Sequence, residues 1–315
     1  MLTTPVLFCV FNRPKLTQQV FDALRQAKPQ TLLVVADGPR DSHPEDRKLV
    51  QETQEIVSRI DWPCDVHTNY NDTNMGCRLR MASGLRWAFD RCEELIVLED
   101  DCLPGPAFFD FCTQMLDRYR NQTEIGMICG DQFLESLSVT TDAYFSKYPF
   151  VWGWASWRRA WQHYDLKMAR WPQRADTSWL EQWTVDAAEH LYWKGIFQRQ
   201  HDGEIDTWDY SWIFNCWDQD LLSIHPTTNL VSNIGFGSDA THTTDQSSRL
   251  ANLPSDTSQQ HREWTLPAKI SLDPSIESRI FHEVYCTPAP VAPPNTKSRQ
   301  KKWTRLRNWL AGTRR

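Results

Sequence analysis

The chain has 315 residues, enough to bury a large core in one big domain or two small ones. Hydrophobic residues make up 40%, charged residues 23%, and the formal net charge is −6. The segment from Thr296 to Arg315 is rich in Lys and Arg and has no acid, so the body before it is more acidic than the total implies. That balance argues against a general nucleic-acid binder. It also means that an anionic substrate would need a cation or local arginines.

Nine cysteines without a CxxC pair exclude a zinc ribbon or a dithiol redox motif. Cys9, Cys92, Cys102, Cys112 and Cys129 sit in or beside apolar runs and read as buried free thiols. No basic leader with a long apolar stretch and no 18-residue apolar window is found, so a reducing cytoplasm is the expected compartment. The sixteen tryptophans are unusual. They could serve the core or stack on sugar rings, and composition does not apportion the two uses.

In chain order, Val6–Phe11 is an apolar run ending at Asn12-Arg13-Pro14. Leu16, Val20, Phe21 and Leu24 then recur at helical spacing. Thr31–Ala36 is a buried strand ending at Asp37-Gly38-Pro39, followed by a helix from about Glu45 to Ile60. Cys64–Thr68 is a weaker strand and Gly76–Phe89 a helix. Leu95–Leu98 is a buried strand ending in Glu99-Asp100-Asp101. A helix over Pro106–Tyr119 and a strand over Ile125–Cys129 follow. Such alternation predicts an α/β fold: a mainly parallel open sheet with helices on both faces. Ligands bind beyond the carboxyl edge of such sheets, so Arg13, Asp37 and the acidic trio should meet in one crevice.

From Ala143 to His242 the alternation lapses into a segment rich in Trp and Tyr. Helices are expected near Trp157–Tyr164, Trp179–Gln200 and Asp209–Trp217. The predicted organisation is one domain over 1–250, with a half that carries the crevice (1–130) and an acceptor-side half (131–250). An extension (251–286), a Pro-rich linker (287–296) and a basic tail (297–315) follow.

Three adjacent carboxylates at a strand end repel one another unless a cation offsets them. Mg²⁺ or Mn²⁺ prefers such oxygen ligands together with phosphate oxygens. The bland alternative is a solvated acidic turn. Asn74 to Arg80 reads as a loop feeding a helix, where Gly76 allows close backbone approach and Arg78 adds charge for an anion.

These motifs, in order, carry a resemblance. Phe11-Asn12-Arg13-Pro14, Ala36-Asp37-Gly38-Pro39-Arg40, Asn74-Met75-Gly76-Cys77 and Glu99 to Phe109 resemble bacterial family-2-type (hemolysin-activation-like) glycosyltransferases. More distantly, residues 4–245 are similar to the N-acetylglucosaminyltransferase I family. The resemblance implies an A-type, Rossmann-like fold and an inverting, metal-dependent transfer from a nucleotide sugar, with UDP favoured by analogy. It implies that Asp37 accepts from the nucleobase and that Arg13 lies near the nucleotide. Asp101 would be the direct ligand of Mn²⁺ or Mg²⁺, with Glu99 and Asp100 contacting ribose and metal-bound water.

Other readings of the same residues stay open: an Asx turn for Asp37 and a salt bridge for Arg13. Asp209, in Thr207-Trp208-Asp209, matches the family's catalytic base, although Tyr210-Ser211 departs from the family pattern and Asp206 and Glu204 are rivals. Asp209 also reads as a helix cap. The resemblance places Trp152, Gly153 and Trp154 beside donor sugar and acceptor, where core packing is the alternative. It offers His242 as a late-loop metal ligand, although a loop histidine is usually solvated.

In the tail, Trp303, Leu306, Trp309 and Leu310 recur at helical spacing among Lys and Arg. This fits an interfacial helix on an anionic membrane surface, making the protein peripheral at the inner face and a glycan or lipid-linked acceptor reasonable. The expected role is cell-surface glycan synthesis. A sugar-1-phosphate nucleotidyltransferase would need a Gly-rich loop where Asn12-Arg13-Pro14 stands. A non-catalytic carbohydrate-binding protein would leave the acidic trio unexplained.

Overall fold

The computed structural model describes residues 1–237, 247–257 and 263–286. Strands β1 (Val6–Val10), β2 (Thr31–Ala36), β3 (Asp65–Tyr70) and β4 (Glu94–Glu99) alternate with helices α1 (Pro14–Ala27), α2 (Asp46–Val57) and α3 (Cys77–Phe89). A short β5 (Cys102–Pro104), α4 (Pro106–Tyr119) and β6 (Ile125–Cys129) complete the alternating part. Each predicted element up to Cys129 is present, with ends shifted by a few residues.

The second half adds further strands. They are β7 (Ala143–Ser146), β8 (Trp154–Trp157), β9 (Leu222–Pro226) and β10 (Val231–Asn233). Its helices are the short α5 (Arg158–Trp161) and α6 (Trp171–Arg174), then α7 (Ala187–His201), α8 (Asp209–Asp218) and α9 (Pro274–Ile280). The predicted helix over 179–200 is two pieces, a 3-10 turn over Ser178–Gln182 and α7. The break falls at Asp186, whose carboxylate caps α7 by accepting from Glu189 N at 2.8 Å.

One eight-stranded sheet runs in the order β3-β2-β1-β4-β8-β6-β9-β7. Strands β3, β2, β1, β4, β6 and β9 point the same way, and β8 and β7 are reversed. The sheet is therefore mainly parallel, and it passes without interruption through both halves. Side chains alternate between two cores. Leu7, Leu33, Val35 and Val97 face α3 and the tryptophan-rich helices. Val6, Phe8, Val34 and Leu98 face α1, α2 and α4.

Among the described residues every tryptophan except Trp87 and Trp152 is buried. The excess of tryptophan is thus mainly one aromatic core: Trp154, Trp161, Trp208 and Trp212 pack with ring centroids 5.0–6.2 Å apart. All nine cysteines are free, and Cys92 is half-buried rather than buried.

Candidate active site

Strands β1, β2 and β4 all end at the same sheet edge, and the chain turns there without delay. Beyond that edge lies a cleft of about 350 Å³. Asn12 and Arg13 follow β1, Asp37 and Arg40 follow β2, and Glu99, Asp100 and Asp101 follow β4. Asp206, Thr207 and Asp209 enter from the start of α8, and Asn74, Gly76, Arg80, Trp152 and Asn233 also line it. The structure therefore brings together Arg13, Asp37, Gly76, Glu99, Asp100, Asp101, Trp152 and Asp209.

Arg13 bridges two of the three acids. Its Nη2 donates to Asp100 Oδ1 and its Nη1 to Asp101 Oδ2 at 2.9 Å. The Phe11 N–H also donates to Asp100, at 3.3 Å. Asp100 and Asp101 are only 2% and 8% exposed, so one guanidinium faces two nearly dry carboxylates. Burial disfavours the Arg13 charge, but Asp100 and Asp101 outweigh it and hold its pKa above the ordinary value. Among the described residues Glu99 forms no such ion pair. Burial first, and then the Asp101 charge, push its pKa up to about 8.

The Asp209 charge raises Glu99 too, so the two carboxylates interact across the cleft. Asp209 begins α8. Its Oδ1 accepts from Thr207 Oγ1 at 2.6 Å and from Tyr210 N at 2.7 Å, which fixes the carboxylate at the helix start.

The loop after β10 closes over the trio. Ile234 N donates to Asp101 O at 2.9 Å, and a Cβ on Gly235 would lie 2.2 Å from Asp101 Oδ2. Only glycine permits that approach. Asn233 Oδ1 accepts from Gly235 N at 2.9 Å and holds the turn.

Asp37 is buried and occupied. Its carboxylate accepts from Gly38 N at 2.9 Å and from Asn74 Nδ2 at 3.0 Å. It also accepts from Met75 N at 2.9 Å and Gly76 N at 3.0 Å. It thus ties the end of β2 to the loop entering α3, where Gly76 has φ 80°. The Asx-turn reading is present in the Gly38 bond, and the clamp on residues 74–76 was not foreseen. With two oxygens and this many donors, the acceptor capacity of Asp37 is filled.

Three expectations are corrected. Trp154 is fully buried, packed on Trp208 and Trp212, and touches no ligand surface. Gly153 is buried beside it, with its carbonyl accepting from Gly130 N at 2.8 Å and its α-carbon against Val231. Both follow from β8 lying inside the sheet, between β4 and β6. Arg78 does not line the cleft, and its Nη2 donates to Leu166 O at 3.4 Å. The cleft arginine of that helix is instead Arg80, whose Nη2 donates to Asn69. Of the paired tryptophans, Trp152 alone lines the cleft. Its backbone N–H donates to the buried Asp131 at 3.0 Å and its ring meets Phe236 edge-on at 5.5 Å. His242 lies outside the described residues.

Among the described residues no three His, Cys, Asp or Glu side chains converge as a ready-made metal cage. The chemistry of the site still fits a divalent cation that shares its shell with a ligand. The donors are hard carboxylate oxygens, and their negative charge exceeds what Arg13 offsets, since burial and the neighbouring Asp101 still push Glu99 upward against the Arg13 charge. Burial and then Glu99 push the Cys77 thiol well above the ordinary range. No described helix is long and apolar enough to cross a membrane.

No protein-family model matches the chain, and none of the curated proteins does. Solved structures similar to it include a mannosyltransferase from Pyrobaculum calidifontis in complex with GDP-Man and Mn²⁺. That match has 14% identity over 49% of this chain and 44% of that one, with a TM-score of 0.33. The chain thus spans less than half the length of that enzyme. Another is a UDP-glucose pyrophosphorylase complexed with UDP-glucose (9% identity, 71% and 90% covered, TM-score 0.34). A third is mouse xyloside xylosyltransferase 1 (8% identity, 70% and 84% covered, TM-score 0.33). Glycosyl- and nucleotidyltransferases both occur among them, and they do not choose between the two reactions.

Proposed function

We propose that the protein is a glycosyltransferase that moves a sugar from a nucleoside-diphosphate sugar to an acceptor hydroxyl, with inversion. One observation carries this reading: a single cleft holds the trio Glu99–Asp101 on one wall, with Arg13 bridging Asp100 and Asp101, and a fixed carboxylate, Asp209, on another. The trio suits a cation and diphosphate. Asp209 suits an attacking hydroxyl, whose proton it would take as the sugar–phosphate bond breaks. Asp206 stands in the same wall but is exposed and lacks the fixing bonds of Asp209.

Asp101, with Asp100 behind Arg13, would hold Mn²⁺ or Mg²⁺, and His242 is kept as a candidate ligand. When bound, the cation supplies Lewis-acid neutralisation of the departing diphosphate. Arg13 holds the two aspartates in register and adds a positive charge beside the leaving group. Trp152, half-exposed at the cleft, offers an indole face for a sugar ring. A nucleotidyltransferase reading is less favoured, because β1 ends in Asn12-Arg13-Pro14 and Arg13 is already committed to the acidic pair. Residues 297–315 lie outside the described residues; their basic, Trp- and Leu-bearing sequence supports association with an anionic membrane surface and a membrane-bound or lipid-linked acceptor.

Thermal unfolding with UDP, GDP, CDP and dTDP, each with Mn²⁺ or EDTA, tests the core of this reading. One nucleotide should raise the midpoint in Mn²⁺ and fail to do so in EDTA. The expected stabilisation is about 2.7 kcal/mol at a hundredfold excess over Kd. Asp101→Asn should lose that response and drop turnover about 10²–10³-fold. Folded protein that responds to no nucleotide would overturn the assignment.

A further inference from the structure

Arg40 has no role in the transfer chemistry, yet its surroundings are built. Asp46, at the start of α2, has a side chain with 0% exposure, and its carboxylate takes Arg40 Nε at 2.6 Å and Nη2 at 2.9 Å. The same carboxylate accepts from Arg40 N at 3.1 Å and from Asn12 Nδ2 at 2.7 Å. The guanidinium lies over the Phe11 ring, 5.5 Å from its centroid, and lines the cleft with 40% of the side chain exposed. Of its five N–H groups the Asp46 fork uses two, and no described residue accepts from Nη1.

Position and charge say what those spare donors face. Arg40 follows β2, and the acidic trio follows β4, two strands away across β1. Two strand spacings are roughly 10 Å, the reach from a diphosphate across a ribose to its base. The bidentate Asp46 also neutralises Arg40, which makes it a poor phosphate ligand and a good donor to a neutral ring. Asn74, on the same wall, spends its Nδ2 on Asp37 and Gly38, which leaves its carbonyl oxygen to accept.

Resting on the nucleotide-sugar reading above, we infer that Arg40 reads the nucleobase of the donor. Pinned by Asp46 and seated on Phe11, it donates to a ring carbonyl oxygen and so selects uracil, cytosine or guanine over adenine, which has none.

The test is calorimetric titration of UDP, CDP, GDP, ADP and inorganic pyrophosphate, all with Mn²⁺, into the full chain. Wild type should bind at least one carbonyl-bearing nucleotide tenfold or more tighter than ADP. Arg40→Ala alone strands the buried Asp46, so the variant of choice is Arg40→Ala with Asp46→Asn. It should bind the preferred nucleotide at least tenfold more weakly, lose the preference over ADP, and keep its pyrophosphate affinity. Arg40→Lys retains a cation beside Asp46 without the planar fork and should show the same flattening. An equal fall for pyrophosphate would make Arg40 a phosphate ligand and overturn the inference. So would an unchanged preference in both variants. Wild type that binds pyrophosphate but no nucleotide would remove this inference and the donor reading together, whereas nucleotide binding indifferent to Arg40 removes this inference alone.

Discussion

At the scale of single residues, chemistry and support can be separated by what each side chain touches. Asp209 meets Thr207 and Tyr210 through Oδ1, and an asparagine there keeps that acceptor while losing the basic carboxylate. Asp209→Asn should therefore leave the melting midpoint nearly unchanged, leave donor affinity intact, and cut kcat by about 10²–10⁴. Steady-state kinetics beside a thermal melt checks this, and turnover within threefold of wild type would assign the base elsewhere. The residues legible in the sequence were those set at a strand end by an abrupt motif: Arg13, Asp37 and the trio. The illegible ones were supporters whose partner is distant in the chain. Nothing local in Asp46 announces that it holds Asn12, and nothing local in Gly235 announces that it rests on Asp101. Trp154 failed for the opposite reason. Its motif was visible, but only the pairing of β8 shows that it points into the core.

At the scale of elements, α9 and β9 each insert a titratable group into the core beside β7. Glu277 of α9 accepts from Ser146 Oγ at 3.2 Å and from Lys147 N at 3.3 Å, and burial pushes its pKa from 4.5 to about 7. His225 of β9 donates from Nε2 to Tyr148 O at 2.8 Å, and burial pushes its pKa from 6.5 down to about 4. The signs oppose. Between pH 4.5 and 7 the unfolded chain releases the Glu277 proton that the fold retains, so stability falls as pH rises. Between pH 4 and 6.5 unfolding lets His225 take up a proton that the fold refuses, so stability rises with pH. Each slope amounts to about 3 kcal/mol at most. Glu277→Gln keeps an amide oxygen for the same donors and abolishes one slope. The variant should be at least as stable as wild type at pH 8, and its melting midpoint should climb more steeply from pH 4.5 to 6.5. Parallel curves for the two proteins would show that Glu277 does not titrate as its burial implies. The shift of neither group could be read from the sequence, because a lone Glu or His acquires it only from the elements that close over it.

For the whole molecule, the question is whether the two halves read from the sequence are units. The first 130 residues alternate strands with regular helices, but the sheet they begin continues past them. β8, from the second half, is inserted between β4 and β6, pairing Glu94 with Trp157 at one end and Cys129 with Trp154 at the other. Without it the central strands β4 and β6 lose their shared neighbour, and both present unpaired backbone to water. The face formed by Leu7, Leu33 and Val97 would also lose the tryptophan-rich helices that help to cover it. A fragment of residues 1–130 should therefore fail to melt cooperatively and should expose apolar surface, whereas residues 1–286 should melt in one transition. Circular dichroism melts with a fluorescent apolar dye distinguish the cases. A sharp transition in the short fragment would mean that β1–β4 and their helices form a core of their own. The same insertion explains why the cleft has two kinds of wall: one strand added from the second half brings Trp152, and the helix packed behind it brings Asp209, to the edge where the first half ends in acids.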